Sequence, residues 1–226
     1  MMEKVRNSTA ASRKVPSHEI TYCQLRDMIL FGQLTPGQPV TIQGLTATLG
    51  AGMTPVREAI RKLTAEGALE LQGNRRVCVP QLTASQLEEL AFARLTIESK
   101  LAELACKHLT KNDYAQLSAL DDQVTAAIDT GDIHRYLLTN YRFHFMLYER
   151  AEAPILLSLA QSLWLRFGPS LRVVCGRYGT SNLPDRHQEA MAAAMAGDSA
   201  ALAHAIHEDI SQGIDQVRGS LAGQNI

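Results

Sequence analysis

The four cysteines, Cys23, Cys78, Cys106 and Cys175, are scattered, and no two form a C-x-x-C pair. That spacing points away from a zinc ribbon and from a disulfide framework, and it fits a reducing cytoplasm. No apolar run reaches the roughly 18 residues that span a bilayer, so no membrane partner is expected. Residues 1–16 lack the hydrophobic centre of a signal peptide and read as a flexible, mildly basic arm. H-E-x-x-H, paired carboxylates at useful spacing and a nucleophile motif are all missing, so a metal-dependent helical-bundle enzyme finds no support. The chain also lacks net charge, at -1 over 226 residues. The balance is uneven, however. Residues 1–83 carry 10 Lys/Arg against 6 Asp/Glu, and residues 84–226 carry 12 against 17. A basic front and an acidic back suit a nucleic-acid reader joined to a sensing or pairing body.

What is present begins with the stretch MTPVREAIRKLTAEGALEL, residues 53–71. Thr54 reads as an N-cap, Pro55 as the first helical residue and Gly67 as the stop. Val56, Ala59, Ile60 and Leu63 form one apolar stripe, while Arg57 and Arg61 lie a turn apart on another face. Such a helix can anchor in a small core and offer guanidinium groups to a major groove, or it can be an ordinary amphipathic surface helix. Upstream, a first helix is expected over 18–31, its stripe being Ile20, Leu25, Ile29 and Leu30, with Gly32 as its stop. Pro36-Gly37 marks a turn, and Val40-Thr41-Ile42 leads into a second helix ending near Gly50. Ala51-Gly52 then makes the tight joint of a helix-turn-helix. After Gly67, two short strands are expected around Gly73-Asn74, with Arg75 and Arg76 at or beside the tip. Three helices and a hairpin make a winged helix-turn-helix over 17–80, with 81–84 as a linker.

Gln24-Leu25-Arg26, the run from Gly32 to Gly37, Leu49-Gly50, the run from Thr54 to Ile60, Leu63 and Glu66-Gly67 resemble the DNA-binding domain of GntR-family bacterial transcriptional regulators. The resemblance implies that Arg57 contacts an operator. Thr54, Arg57, Arg61, Arg75 and Arg76 are the DNA-contact candidates. Two positions depart from the family pattern: Met53 replaces a second DNA-contacting arginine, and Arg76 replaces a wing-tip glycine. The first removes a donor fork, and the second favours a hairpin turn at Gly73-Asn74 with Arg75 or Arg76 as the cation.

Beyond residue 84 the pattern is all helical, giving a mostly α chain. Six helices are expected, over about 85–108, 111–130, 132–151, 154–176, 184–196 and 198–221, forming an antiparallel bundle over 85–222. Gly131-Asp132 and Gly197-Asp198 each supply a stop followed by an N-cap. The pieces from Leu87 to Leu90, Arg94-Leu95, Glu98, Phe143-His144, His187 and Ala196-Gly197-Asp198 resemble the FCD effector domain of the FadR subfamily. That resemblance implies a divalent metal held by an aspartate four residues before a histidine and by two later histidines. Here those positions are Asn140, His144, His187 and Asp209. His207 is an alternative for the last under a register shift. The set can bind zinc, nickel, manganese or iron, or the two histidines can be buried, hydrogen-bonded and metal-free. Arg94 faces either a carboxylate effector, as the resemblance implies, or Glu98 one turn on. Trp164 and Phe167 line a pocket or fill the core, and Arg135, Arg142, Arg166 and Arg172 read as solvated or structural cations. The expectation is a homodimer that binds a palindromic double-stranded DNA operator and responds to a small organic acid; a dimer without ligand response is the alternative.

Overall fold

A computed structural model describes residues 17–73, 76–178 and 186–222. The expected arm at 1–16, the turn residue Asn74, the cation Arg75 and the expected helix start at Pro184 lie outside the described residues. The head consists of α1 (Ser17–Leu30), α2 (Ile42–Leu49), α3 (Met53–Ala65) and a small antiparallel sheet of β1 (Pro39–Val40), β2 (Glu70–Leu71) and β3 (Val77–Cys78). Leu25 and Ile29 from α1 meet Val56, Ala59 and Leu63 from α3 in its core. Thr41 caps α2 by accepting from the Gly44 amide, and Gly50 ends it in a left-handed conformation.

Three local expectations are corrected. The N-cap of α3 is Gly52, without a side-chain cap bond, so Thr54 and Pro55 both lie in the first turn. Pro55 is tolerated there because the first four amides of a helix lack an internal acceptor partner in any case. The sheet has three strands in the order β1-β3-β2, not two. Val77 is paired with Val40 on one side and Leu71 on the other. Pro39 fits because β1 is an edge strand and loses no central ladder bond. Ile20 is 47% exposed, and Thr21 is buried in its place, its hydroxyl bonded to the Ser17 carbonyl.

The body is all helical: α4 (Ala84–Ala105) with a 3-10 turn at Cys106–His108, α5 (Lys111–Thr130), α6 (Ile133–Glu149), α7 (Pro154–Tyr178), α8 (Arg186–Met195) and α9 (Ser199–Ala222). Thr83 with Gln86, and Thr110 with Asp113, form reciprocal capping boxes on α4 and α5. Asp132 and Asp198 accept from the amides of Arg135 and Ala201, so the two Gly-Asp joints turn the chain sharply and lay successive helices side by side. α4 packs on α9, α5 on α6 and α8 on α9, while α7 reaches across to α1 of the head. Among the described residues, no helix is long and apolar enough to cross a membrane.

Candidate metal centre and DNA-binding face

Asn140, His144 and Tyr148 recur every fourth residue on α6 and so share one face. His187 lies in the first turn of α8, and Asp209 is on α9. The fold brings His144, His187 and Asp209 together, with one ligand atom of each within 4.8 Å of the others. His144 Nε2 is 3.1 Å from one Asp209 oxygen, and His187 Nε2 is 3.8 Å from the other. Both imidazoles are buried, and the Asp209 side chain is 21% exposed. Asn140 is buried one turn before His144.

The surrounding groups decide which ring nitrogen carries the proton. Burial, reinforced by the charge on Glu98, raises the Tyr148 phenol well above its ordinary range, so its oxygen stays protonated. Tyr148 donates that proton to Glu98 Oε2 at 2.9 Å. The Tyr148 oxygen then accepts from His144 Nδ1–H at 3.1 Å, and the His144 lone pair is left on Nε2. His187 Nδ1 lies 2.9 Å from Asp121 Oδ1, an arrangement that likewise places its proton on Nδ1. The Gln188 amide donates to the other Asp121 oxygen. Two imidazole acceptors therefore converge on a carboxylate, which also only accepts. A cation satisfies all three: either a proton on an imidazole, or a divalent metal with the two-histidine, one-carboxylate set and its orienting outer shell. Burial alone would raise the Asp209 carboxyl, but when the shared cation is a proton on His144 Nε2 the hydrogen bond and charge of His144, with His187 and Arg94, outweigh it and hold the group below the usual range.

Of the other sequence candidates, His207 lines a surface groove with Phe92 and Lys100 between α4 and α9, so Asp209 occupies the converging position. Of the two partners expected for Arg94, Glu98 one turn on is the one it meets. Its Nε and Nη2 are engaged by Glu98 at 2.6 and 3.3 Å, it is 3% exposed, and it lies over the rings of Trp164 and Phe167 at 4.5 and 4.4 Å. Trp164 Nε1 also donates to Glu98, at 2.7 Å. Tyr148 and Asp121 escaped the sequence reading. Tyr148 carried a signal, since it stands four residues after His144; Asp121, 66 residues before His187, carried none.

On the head, Thr54 and Arg57 are exposed at the start of α3, and no described residue pairs with Arg57. Arg61 is exposed and held 2.7 Å from Glu58, an exposed pair of the kind that phosphate can readily displace. Arg76 is exposed at the base of the wing, where its carbonyl accepts from the Gln72 amide. The exposed basic residues of α3 and the wing are joined to a separate helical body that holds the triad.

The family model for bacterial regulatory proteins of the gntR family matches residues 18–79, and the FCD domain model matches 89–212. The chain belongs to the GntR family. It is a DNA-binding transcriptional regulator with an FCD body, as its relatives are, and not an enzyme. The HTH-type transcriptional regulator McbR of Escherichia coli is 30% identical over 84% of this chain and 87% of its own. A probable D-xylose utilization operon transcriptional repressor of Paenarthrobacter nicotinovorans is 27% identical over 83% and 84%. The solved structure of E. coli McbR/YncC superposes with a TM-score of 0.84 at 28% identity, covering 94% of this chain and 100% of that one. A GntR regulator structure from Rhodococcus sp. RHA1, at 21% identity and a TM-score of 0.73, shares the fold and covers 89% of this chain and 97% of its own.

Within this GntR regulator the buried Arg94–Glu98 pair is the most exposed to mutational test. Glu98→Gln removes the charge that compensates Arg94, and urea unfolding is expected to show a loss of about 3–5 kcal/mol. A loss below about 1 kcal/mol would mean that Arg94 finds another partner.

Proposed function

We propose that this regulator is a homodimeric repressor of the FadR subfamily whose hold on a palindromic operator changes when a small organic acid meets a divalent metal bound by His144, His187 and Asp209, with Asn140 as a weak fourth ligand. The observation that carries the reading is the meeting of two buried imidazoles and a half-buried carboxylate, one ligand atom of each within 4.8 Å of the others, with the imidazoles oriented from behind by Tyr148 and Asp121. Zinc, nickel, manganese and iron suit such donors. The bound metal would supply a positive centre for a carboxylate, while the residues of this chain orient and shield it. The proposed units are an arm at 1–16, a DNA-binding head at 17–80, a linker at 81–84 and an effector and pairing body at 85–222, working in the cytoplasm. Phe92 on α4, 75% exposed, and Ile155 and Leu159 at the start of α7 offer apolar surface for pairing. Repression is the mode printed for the Paenarthrobacter relative.

On the head, Thr54, Arg57, Arg61, Arg75 and Arg76 are the proposed DNA contacts, with Arg57 reading a base. In anisotropy titrations at fixed salt against a duplex selected from a random library, Arg57→Ala is expected to weaken binding by about 1–3 kcal/mol, and unchanged affinity would sink the assignment of α3. For the body, a panel of hydroxy- and dicarboxylic acids is expected to raise the melting temperature of zinc-loaded protein and leave metal-stripped protein unmoved. Equal shifts in both would remove the metal from effector recognition.

A further inference from the structure

Arg166 stands on α7, in the body, and its Nε donates to the Glu66 carbonyl at 3.1 Å. Glu66 is the C-cap residue of α3. A cation at that end bonds a carbonyl from the last turn and opposes the negative end of the helix dipole. The next residue, Gly67, has φ +73°, and a Cβ there would lie 2.9 Å from the Arg166 guanidinium. Glycine is required there by the left-handed backbone, and its missing side chain leaves room for the guanidinium to come close. Two residues before Arg166, Trp164 is bonded to Glu98, and one residue after it Phe167 lies under Arg94. At 1.5 Å rise per residue, the body network and the end of α3 are gripped within a single turn of the same helix.

The next contacts fix α7 to the head. A Cβ at Gly168 would lie 2.6 Å from the Leu30 carbonyl oxygen, so the backbone of α7 runs directly against the end of α1. A Cβ at Gly32 would likewise collide with the stem of the Arg172 side chain. Pro169, inside α7, lacks the amide that would bond the Leu165 carbonyl, which makes this the natural point for the helix to bend.

We infer that Arg166 is a positioning residue for α3, and that α7 transmits the arrangement of the Glu98 network to the end of that helix. Any change that shifts Trp164 relative to Glu98 must carry Arg166 with it, because a helical turn is stiff over so short a span. The inference rests on α3 being the DNA-reading helix of the proposed function, and on neither the metal nor the effector.

Hydrogen exchange over residues 62–69 of the full-length, metal-free protein tests it. Arg166→Gln is expected to speed exchange there about threefold or more while leaving α5 unchanged, and Arg166→Lys, which keeps a donor, to restore at least half of the protection. Trp164→Phe keeps the ring but loses the N–H to Glu98, and it is expected to speed exchange in the same segment. Combined with Arg166→Gln it should add nothing further. Tyr148→Phe withdraws a different donor from Glu98 and provides a second perturbation. No change over 62–69 in both Trp164→Phe and Tyr148→Phe, or full multiplication of the effects in the double variants, would overturn the coupling. Failure of the selected duplex to depend on Arg57 would count against the DNA reading of α3 and leave this exchange result standing.

Discussion

A single carboxylate, Glu98, holds the body together. It is fully buried on α4 and accepts from Arg94 on its own helix, Tyr148 on α6 and Trp164 on α7. A buried charge is tolerated only when its lone pairs are satisfied, so the three donors have little freedom to turn elsewhere. That constraint runs outward in two directions. Through Tyr148 it places the lone pair of His144 on Nε2, toward Asp209. Through Trp164 it fixes the section of α7 that touches the head.

The triad is the chemical counterpart of that packing. Where the resembling family places an aspartate on the helix of His144 this chain has Asn140, and where it places a histidine on the last helix this chain has Asp209. One carboxylate is kept, but it enters from α9. Asp121 behind His187 and Tyr148 behind His144 do for the two imidazoles what outer-shell partners do in metal sites: they set the tautomer and the ring orientation.

Much of the fold was legible in local chemistry. The Gly-Asp pairs at 131–132 and 197–198 and the periodicity between them marked the body helices, because a left-handed glycine followed by a capping aspartate acts within a few residues. Of the site, His144, His187 and Asp209 were reached through a family pattern, and the fold gathers them. What remained hidden depends on partners distant in sequence. The third strand needs β3 beside Pro39-Val40, and the cap of α3 moved to Gly52 because Thr54 and Pro55 both fit a first turn. Asp121 reaches His187 only after α5 and α8 are packed, and the rings of Trp164 and Phe167 that Arg94 lies over are some 70 residues away along the chain. Arg166 read only as a solvated or structural cation, with no partner named, because that partner is a backbone carbonyl 100 residues earlier.

The central claim, that Tyr148 of the Glu98 network and Asp121 turn two imidazole lone pairs toward the Asp209 carboxylate and one shared cation, is tested most directly by X-ray absorption at the zinc edge on zinc-loaded protein beside His144→Ala. The expected result is a shell of nitrogen and oxygen donors at about 2.0–2.2 Å with the scattering of two imidazoles, losing one imidazole or the metal itself in the variant. A shell containing sulfur near 2.3 Å, or a spectrum indifferent to His144→Ala, would contradict it.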